Sequence, residues 1–388
     1  MSHVTAIRPP MTCFAVAAPG LEPLLADELR GLQSRYSLEL DTPETGGVAF
    51  RADAAGLYAA NLHLRIASRV LVRVGAFHAA AFHELERHAA RLPWDELVRE
   101  GQPVAFRVTS RKSRLYHQDA VAERLLVAVG SRVRGAASAL AGSATAAGAE
   151  PQEFFVRLVR DECVVSVDAS GELLHRRGYR LASAKAPLRE TLAAAMLAGA
   201  GWDGSAPLMD PMCGSGTIPI EAALLARRIP PGLNRGFAFE HWPVFDEPAW
   251  RAVLSAARER ILPAAPAPIQ GSDRDAGAVR AAAANAERAG VGGDVEWRRA
   301  AISAIEPPRE PGWVVTNPPY GVRVGERKRL RDLYAQFGNV MRAKCAGWEV
   351  AVLTSHPELE HQTGLPLTPR LGTENGGLRV RLMRARVP

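Results

Sequence analysis

At 388 residues the chain is long enough for two or three domains, each with a core of its own. Hydrophobic residues at 47% and charged residues at 23% are the balance of an ordinary soluble protein, and no apolar run reaches the roughly 18 residues of a membrane span. A net charge of +7 and a pI of about 9.6, with arginine far outnumbering lysine, point to a polyanionic partner.

The four cysteines, Cys13, Cys163, Cys213 and Cys345, lie far apart with no Cys-x-x-Cys pair. That spacing argues against a disulfide framework or a zinc site and fits a reducing cytoplasm. No metal is expected. The N-terminus lacks the apolar core of a signal peptide, so a soluble, cytoplasmic protein is expected.

Residues 1–10 read as a disordered lead. Residues 12–17 then read as a strand and 21–32 as an amphipathic helix, with Leu21, Leu24, Leu25 and Leu29 on one face. A strand over 46–50 and a helix over 53–64 complete a small α/β module, and 69–75 alternates in strand fashion. Residues 104–110 form another strand, which runs into the basic loop Arg111-Lys112-Ser113-Arg114-Leu115-Tyr116-His117. Cations interleaved with an aromatic ring suit a sugar–phosphate backbone and a base, although a solvated basic turn would look the same. A helix over 119–134, a low-complexity surface loop over 136–148 and strands over 153–160 and 163–168 follow.

Residues 171–190 change character: Gly171, His175, Arg176, Arg177, Gly178, Tyr179, Arg180, Lys185 and Arg189 make a basic connector. It is either a plain linker or a path for nucleic acid between two domains. Beyond it come a helix over 188–198, a short strand over 207–210 and the turn Pro211-Met212-Cys213-Gly214-Ser215-Gly216-Thr217, leading into a helix over 218–228. Strand, acidic residue, glycine turn and helix form the layout of a nucleotide-type cofactor loop. Asp210 at the strand end would repel phosphate and prefer an amino-bearing or cationic ligand, as S-adenosylmethionine is. No Gly-Lys-Ser/Thr follows, which excludes a P-loop. A second strand over 268–271 ends in Ser272-Asp273-Arg274-Asp275, where Asp273 suits ribose hydroxyls and Asp275 a helix N-cap. Further strands over 295–299, 312–316 and 349–354, with a closing hairpin over 367–370 and 378–383, predict a seven-stranded, doubly wound sheet.

The most informative stretch is Thr316-Asn317-Pro318-Pro319-Tyr320-Gly321, after the apolar run Trp313-Val314-Val315. Two prolines force the chain out of the strand's carboxyl end, where ligands bind in open α/β sheets. The Asn317 side-chain oxygen and the Pro318 carbonyl can each accept one N–H of an exocyclic amine. Together they draw the nitrogen toward tetrahedral geometry, and Tyr320 can stack on the base. Positioning and carbonyl dipoles then carry the chemistry without a general base of unusual pKa. The same pair of acceptors would serve guanine N2, adenine N6 or a glutamine amide.

With both loops in place, residues 210–217 resemble the cofactor loop of class I S-adenosylmethionine-dependent methyltransferases, and Asn317-Pro318-Pro319-Tyr320 resembles their amino-methylating branch. The upstream half is similar to an N-terminal ferredoxin-like domain followed by a THUMP RNA-binding domain. Residues 111–117, 175–180 and Ala186-Pro187-Leu188-Arg189-Glu190-Thr191 match that pattern. The chain looks most like the bacterial 23S rRNA guanine-N2 methyltransferases, without the second methyltransferase half fused in some relatives, and like tRNA acceptor-stem guanine-N2 enzymes. The resemblance implies a ferredoxin-like domain over 11–65, a THUMP domain over 66–170, a connector over 171–186 and a Rossmann-like methyltransferase domain over 187–388. It implies that Asp210, Pro211, Cys213, Gly214, Ser215, Gly216, Thr217, Asp273, Arg274 and Asn317 hold S-adenosylmethionine. Asn317, Pro318, Pro319 and Tyr320 would hold the target base. RNA would meet Arg111, Lys112, Arg114, Tyr116, His117, Arg176, Arg177, Arg180 and Arg323. Ala301 stands where the family usually has an adenine-binding aspartate, which keeps open a catalytically inactive RNA-binding protein. Adenine-N6 methylation of DNA or RNA is a further alternative, although no target-recognition domain for DNA is evident. A monomer is expected.

Overall fold

The computed structural model describes residues 3–4, 10–138, 150–180, 188–320 and 327–388. Its first half is built on β1 (His3–Val4), β2 (Met11–Val16), β3 (Leu38–Leu40), β4 (Gly47–Ala52), β5 (Arg69–His78), β6 (Pro103–Arg111), β7 (Ala137–Ser138), β8 (Gln152–Val159) and β9 (Glu162–Asp168). They form one continuous sheet in the order β3-β4-β2-β5-β9-β8-β6-β7, with β1 beside β5. The ferredoxin-like stretch and the strands after it therefore share a sheet, joined through β5 and β9.

One face of this sheet is covered by α1 (Glu22–Gln33), α2 (Ala54–His63), α3 (Phe82–Ala89), α4 (Trp94–Leu97) and α5 (Gln118–Gly130). The two-residue period of a strand decides which side chains go there. In β2, Met11, Cys13 and Ala15 are buried, while Thr12, Phe14 and Val16 on the other face are half-exposed. Val72 of β5, Phe154 and Val156 of β8 and Val165 of β9 join Leu25, Leu29, Leu57 and Leu125 of the helices in one core.

Two stretches differ from expectation. In the lead, read as disordered, His3–Val4 pair antiparallel with Gly75 and Ala76. The reason is an open edge: β2 pairs with β5 only over Arg69–Val72, leaving backbone groups beyond it to be satisfied. Likewise Ala137–Ser138, in the stretch read as a surface loop, pair in parallel with Pro103 and Val104.

The second half contains β10 (Leu208–Asp210), β11 (Ile269–Asp273), β12 (Val295–Arg299), β13 (Trp313–Thr316), β14 (Glu349–Thr354), β15 (Thr368–Asn375) and β16 (Leu378–Arg386). Their order is β12-β11-β10-β13-β14-β16-β15, parallel except where β16 runs antiparallel to β14 and β15. The helices are α6 (Glu190–Ala200), α7 (Thr217–Ala226), α8 (Glu247–Arg258), α9 (Ala276–Arg288), α10 (Arg327–Lys344) and α11 (Pro357–Gln362). Leu208, Val315 and Ala351 pack into the core shared with α6 and α7, whereas Met209, Val314 and Val350 pack with Phe337, Val340 and Met341 of α10. Strands buried on both faces in this way define the doubly wound sheet expected from the sequence. Its order reverses between β10 and β13, so ligands should sit at their carboxyl ends. Among the described residues no helix is long and apolar enough to cross a membrane.

Candidate active site

The strands β10 and β13 lie side by side, with Leu208 opposite Trp313 and Met209 opposite Val314. Their next residues bring the two sequence motifs together. Thr316 donates its hydroxyl proton to Asp210 Oδ1 at 2.7 Å, and the Met212 N–H reaches the same oxygen at 3.2 Å. Asp210 is 2% exposed. Burial pushes its carboxyl up to about 7, with the Asp273 charge adding to the rise and the Thr316 and Met212 hydrogen bonds opposing it. Such a carboxylate lacks a cation, and a positively charged ligand would supply one.

The glycine turn is held from below. Cys213 N–H donates to the Ser272 carbonyl at 2.9 Å, and Gly214 N–H donates to Asp273 Oδ2 at 3.1 Å. Asp273 Oδ1 accepts from the Asp275 N–H, and Asp275 caps α9 through the Gly277 N–H, as its position suggests. Gly216 sits at φ +84°, and a Cβ there would lie 2.7 Å from the Trp297 ring and 2.8 Å from Ala282 Cβ. Only glycine lets the turn pack this closely against β12 and α9. Gly214, at φ +53°, faces open space instead. Ser215 is fixed through its carbonyl by the Asn285 amide at 3.0 Å, and Arg288 in turn holds Asn285. Cys213 and Pro211 are buried, burial pushes the Cys213 thiol up, and Arg274 is exposed. Ala301 is exposed after the end of β12, just before a short helical turn at Ile302–Ala304.

On the other side of the switch point, Asn317 Oδ1 is enclosed and accepts no hydrogen bond from the described residues. A buried acceptor without a donor costs about 1–3 kcal/mol, which an incoming N–H would recover. Pro318 is buried and Pro319 exposed. Tyr320 is half-buried beside Leu330, Tyr334 and Leu359, and its phenol oxygen accepts from the Asn375 amide at 2.7 Å. Burial raises the Tyr320 phenol pKa, and the Asn375 bond opposes the rise. Asn375 comes from the β15–β16 turn, where Gly376 and Gly377 have positive φ. Asn-Gly-Gly is legible in the sequence as a hairpin turn. That it reaches the target loop is visible only in three dimensions. Thr316, too, reads as an ordinary strand residue until register places it beside Asp210.

The basic loop lies in the other half, at the end of β6. Arg111, Lys112, Arg114, Tyr116 and His117 are all exposed, Tyr116 at 67%, and its ring centroid is 4.2 Å from that of His117. Leu115 is buried as an anchor. The loop is tied to the β8–β9 turn: Arg114 N–H donates to Asp161 Oδ1 at 2.7 Å, and Asp161 N–H donates to Ser113 Oγ at 2.9 Å. The turn adds exposed Arg160, which in the sequence reads only as a strand end. None of Arg111, Lys112, Arg114 and Arg160 takes part in an ion pair among the described residues, so their charge is free for a ligand.

The connector divides differently from expectation. Arg176 is exposed and pairs with Glu172 at 2.8 Å. Arg177, named with it as an RNA contact, is 5% exposed. Its guanidinium donates to the Arg65 carbonyl at 2.6 Å and to Leu174, and lies 3.6 Å from Glu221 of α7. A cation this buried must be neutralised inside the protein, so it joins the two halves and cannot reach a phosphate. Arg180 is likewise turned inward: it donates to Thr217 Oγ1 at 2.7 Å and pairs with Glu190 at 3.3 Å, steadying the start of α7. Arg323 lies outside the described residues.

Comparison with known proteins accords with this arrangement. Residues 177–379 match the family described as RMKL-like, methyltransferase domain, and residues 12–71 match the RlmL ferredoxin-like domain. The chain is 36% identical over 374 residues to slr0064 of Synechocystis, assigned as an RNA methyltransferase, covering 96% of this chain and 95% of that one. It is 37% identical over 389 residues to the ribosomal RNA large subunit methyltransferase K/L of Syntrophotalea carbinolica, of which it spans about half (53%) while 96% of this chain is covered. Among solved structures, SMU.472, assigned as a methyltransferase and crystallised in complex with SAH, superposes with a TM-score of 0.85 at 29% identity, over 98% of this chain and 99% of that one. With the cofactor-type loop and the Asn-Pro-Pro-Tyr turn facing each other across the switch point, the chain belongs to the RMKL-like methyltransferase family.

Proposed function

We propose that this protein transfers a methyl group from S-adenosylmethionine to the exocyclic N2 amine of a guanine in structured RNA, with 23S rRNA the first substrate to test. The observation that carries the reading is the enclosed Asn317 Oδ1, without a donor among the described residues, beside the Asp210–Thr316 bridge. When bound, S-adenosylmethionine supplies an electrophilic methyl group. Asp210 and the turn from Pro211 to Thr217 would hold its amino-acid end, and Asp273 its ribose. Asn317 Oδ1 and the Pro318 carbonyl would accept the two N–H groups of the target amine and direct its lone pair. RNA as the substrate class is supported by the free cations of the 111–117 loop and by the names of the relatives.

The test is methyl transfer from labelled cofactor into unmodified total RNA, separated by size and digested to nucleosides. Label as N2-methylguanosine in large-subunit rRNA is expected. The same nucleoside in tRNA would keep the chemistry and change the substrate. N6-methyladenosine, or no label with cofactor bound, would overturn the reading.

Cofactor affinity should depend on pH. The raised Asp210 pKa means the carboxyl takes up a proton as pH falls through about 7, and a cationic ligand must displace that proton. Affinity should therefore fall between pH 7 and 5.5, by up to about tenfold per unit for one linked proton, with proton release on binding. Calorimetry over this range, with Asp210→Asn as the pH-insensitive control, measures it. A flat profile for the wild type would separate Asp210 from the cofactor's charge.

Replacing Lys112 and Arg114 by alanine should weaken RNA binding at every sequence. The slope of log K against log salt should shrink by about 0.7–0.9 for each phosphate that the loop no longer neutralises. An unchanged slope would make the loop a solvated turn.

A further inference from the structure

We propose that the part of the first sheet's helix-free face left open by the described residues is a platform for a single-stranded segment of RNA, on which Phe14 and Phe155 stack bases while Arg73 and Arg157 meet phosphates. This rests on the reading of RNA as substrate and adds a second binding surface, separate from the 111–117 loop.

The helices all lie on the opposite face, so the alternate residues of β2, β5, β6, β8 and β9 face outward. They line a groove of about 480 Å³ that includes Phe14, Arg73, Arg107, Thr109, Phe155 and Arg157. Half-exposed phenylalanines on a solvated sheet face give up apolar burial, and a flat ligand would restore it. The guanidiniums of Arg69 and Arg107 lie 4.8 and 6.0 Å from the Phe155 ring centroid. Both are already neutralised, Arg107 by two 2.9 Å bonds to Glu153 and Arg69 by Asp168, so they are fixed planes beside the ring. Arg73 and Arg157, in contrast, form no ion pair among the described residues. Against them the groove sets one unpaired carboxylate, Glu44.

Aromatic rings, guanidinium planes and unpaired cations on an open sheet are the chemistry that holds unstacked nucleotides in sequence-tolerant fashion. Position supports the same occupant. Arg107, Thr109 and Arg111 point to one side of β6, so the groove leads into the basic loop over roughly 13 Å of strand, about two nucleotides. A peptide adding to the sheet would use an edge strand, and the groove lies on the central strands instead.

The experiment uses the full chain and two labelled probes: a mixed-sequence single-stranded oligoribonucleotide and a duplex RNA of equal length. The variant Phe14→Ala/Arg73→Ala/Arg157→Ala should bind the single strand at least about tenfold more weakly, with duplex binding changed less than about twofold. The 111–117 loop variant should weaken both. Retained duplex binding through the 111–117 loop verifies folding of the first sheet, and unchanged S-adenosylhomocysteine binding that of the second. A 4-thiouridine oligonucleotide should crosslink to peptides of β2 or β8 in the unmutated protein, which needs no variant. Equal loss on both probes, or crosslinks confined to other strands, would overturn the platform while leaving RNA as the substrate. Failure of the unmutated protein to bind either probe would instead remove the RNA reading itself. Self-association that the same substitutions abolish, seen by sedimentation, would make the face an interface between copies and overturn the proposal.

Discussion

Asn317→Ala is expected to reduce methyl transfer at least about a hundredfold while cofactor affinity stays close to that of the unmutated protein. The side-chain oxygen is enclosed and has no donor among the described residues, so removing it breaks no hydrogen bond that those residues make to it. Its value appears only when an amine arrives. As the nitrogen becomes tetrahedral and gains positive charge, its N–H groups become stronger donors, and an aligned carbonyl dipole in a water-poor site stabilises that change. Losing one preorganised group of this kind typically costs about 10²–10³ in rate. The loss should fall on kcat more than on KM for RNA, because the interaction strengthens in the transition state. Single-turnover transfer beside calorimetric cofactor titration makes the comparison. Near-normal transfer by the alanine variant would exclude the two-acceptor mechanism.

Arg177→Met should destabilise the protein by about 3–5 kcal/mol, the usual effect of removing one partner from a buried ion pair. Glu221, fully buried on α7, would lose the guanidinium 3.6 Å away and keep the Tyr179 hydroxyl at 3.2 Å and the more distant charge of Arg65. The Arg65 and Leu174 carbonyls would lose their donors at the same time. The cluster extends further: Arg65 donates to the Ile229 carbonyl at 2.6 Å, while Glu28 accepts the Arg65 and Ile66 N–H groups. Burial pushes the Glu28 carboxyl up to about 7 against those bonds and the nearby guanidiniums. The denaturant midpoint reads the loss, and Arg177→Met/Glu221→Leu should recover part of it, because the Glu221 charge goes with its partner while the Arg65 and Leu174 carbonyls still lack the donor. A midpoint unchanged in the single variant would return Arg177 to the surface and to RNA.

Much of the methyltransferase half was legible because its signals are local. Parallel strands buried on both faces read as short apolar runs, and Val314 and Val315 occupy opposite sides of the sheet without altering that pattern. Glycines, the strand-end acids and the double proline report their own backbone requirements. The first half was less legible where pairing is by backbone: nothing in His3–Val4 or Ala137–Ser138 distinguishes an edge strand from a loop. Charge was the least reliable guide. Arg176 and Arg177 are neighbours of identical type, yet one is exposed and the other sits between the halves.

By itself the sequence determined the doubly wound sheet, the cofactor-type turn, the Asn-Pro-Pro-Tyr turn and the exposed basic loop, since each follows from residue types a few positions apart. Only the tertiary structure decided which of these act together. The Asp210–Thr316 bridge spans 106 positions, Asn375 reaches Tyr320 across 55, and Arg177 meets the Arg65 carbonyl across 112. Those pairings depend on strand order and on where charge is shut away from water, and neither is written in a local window of residues.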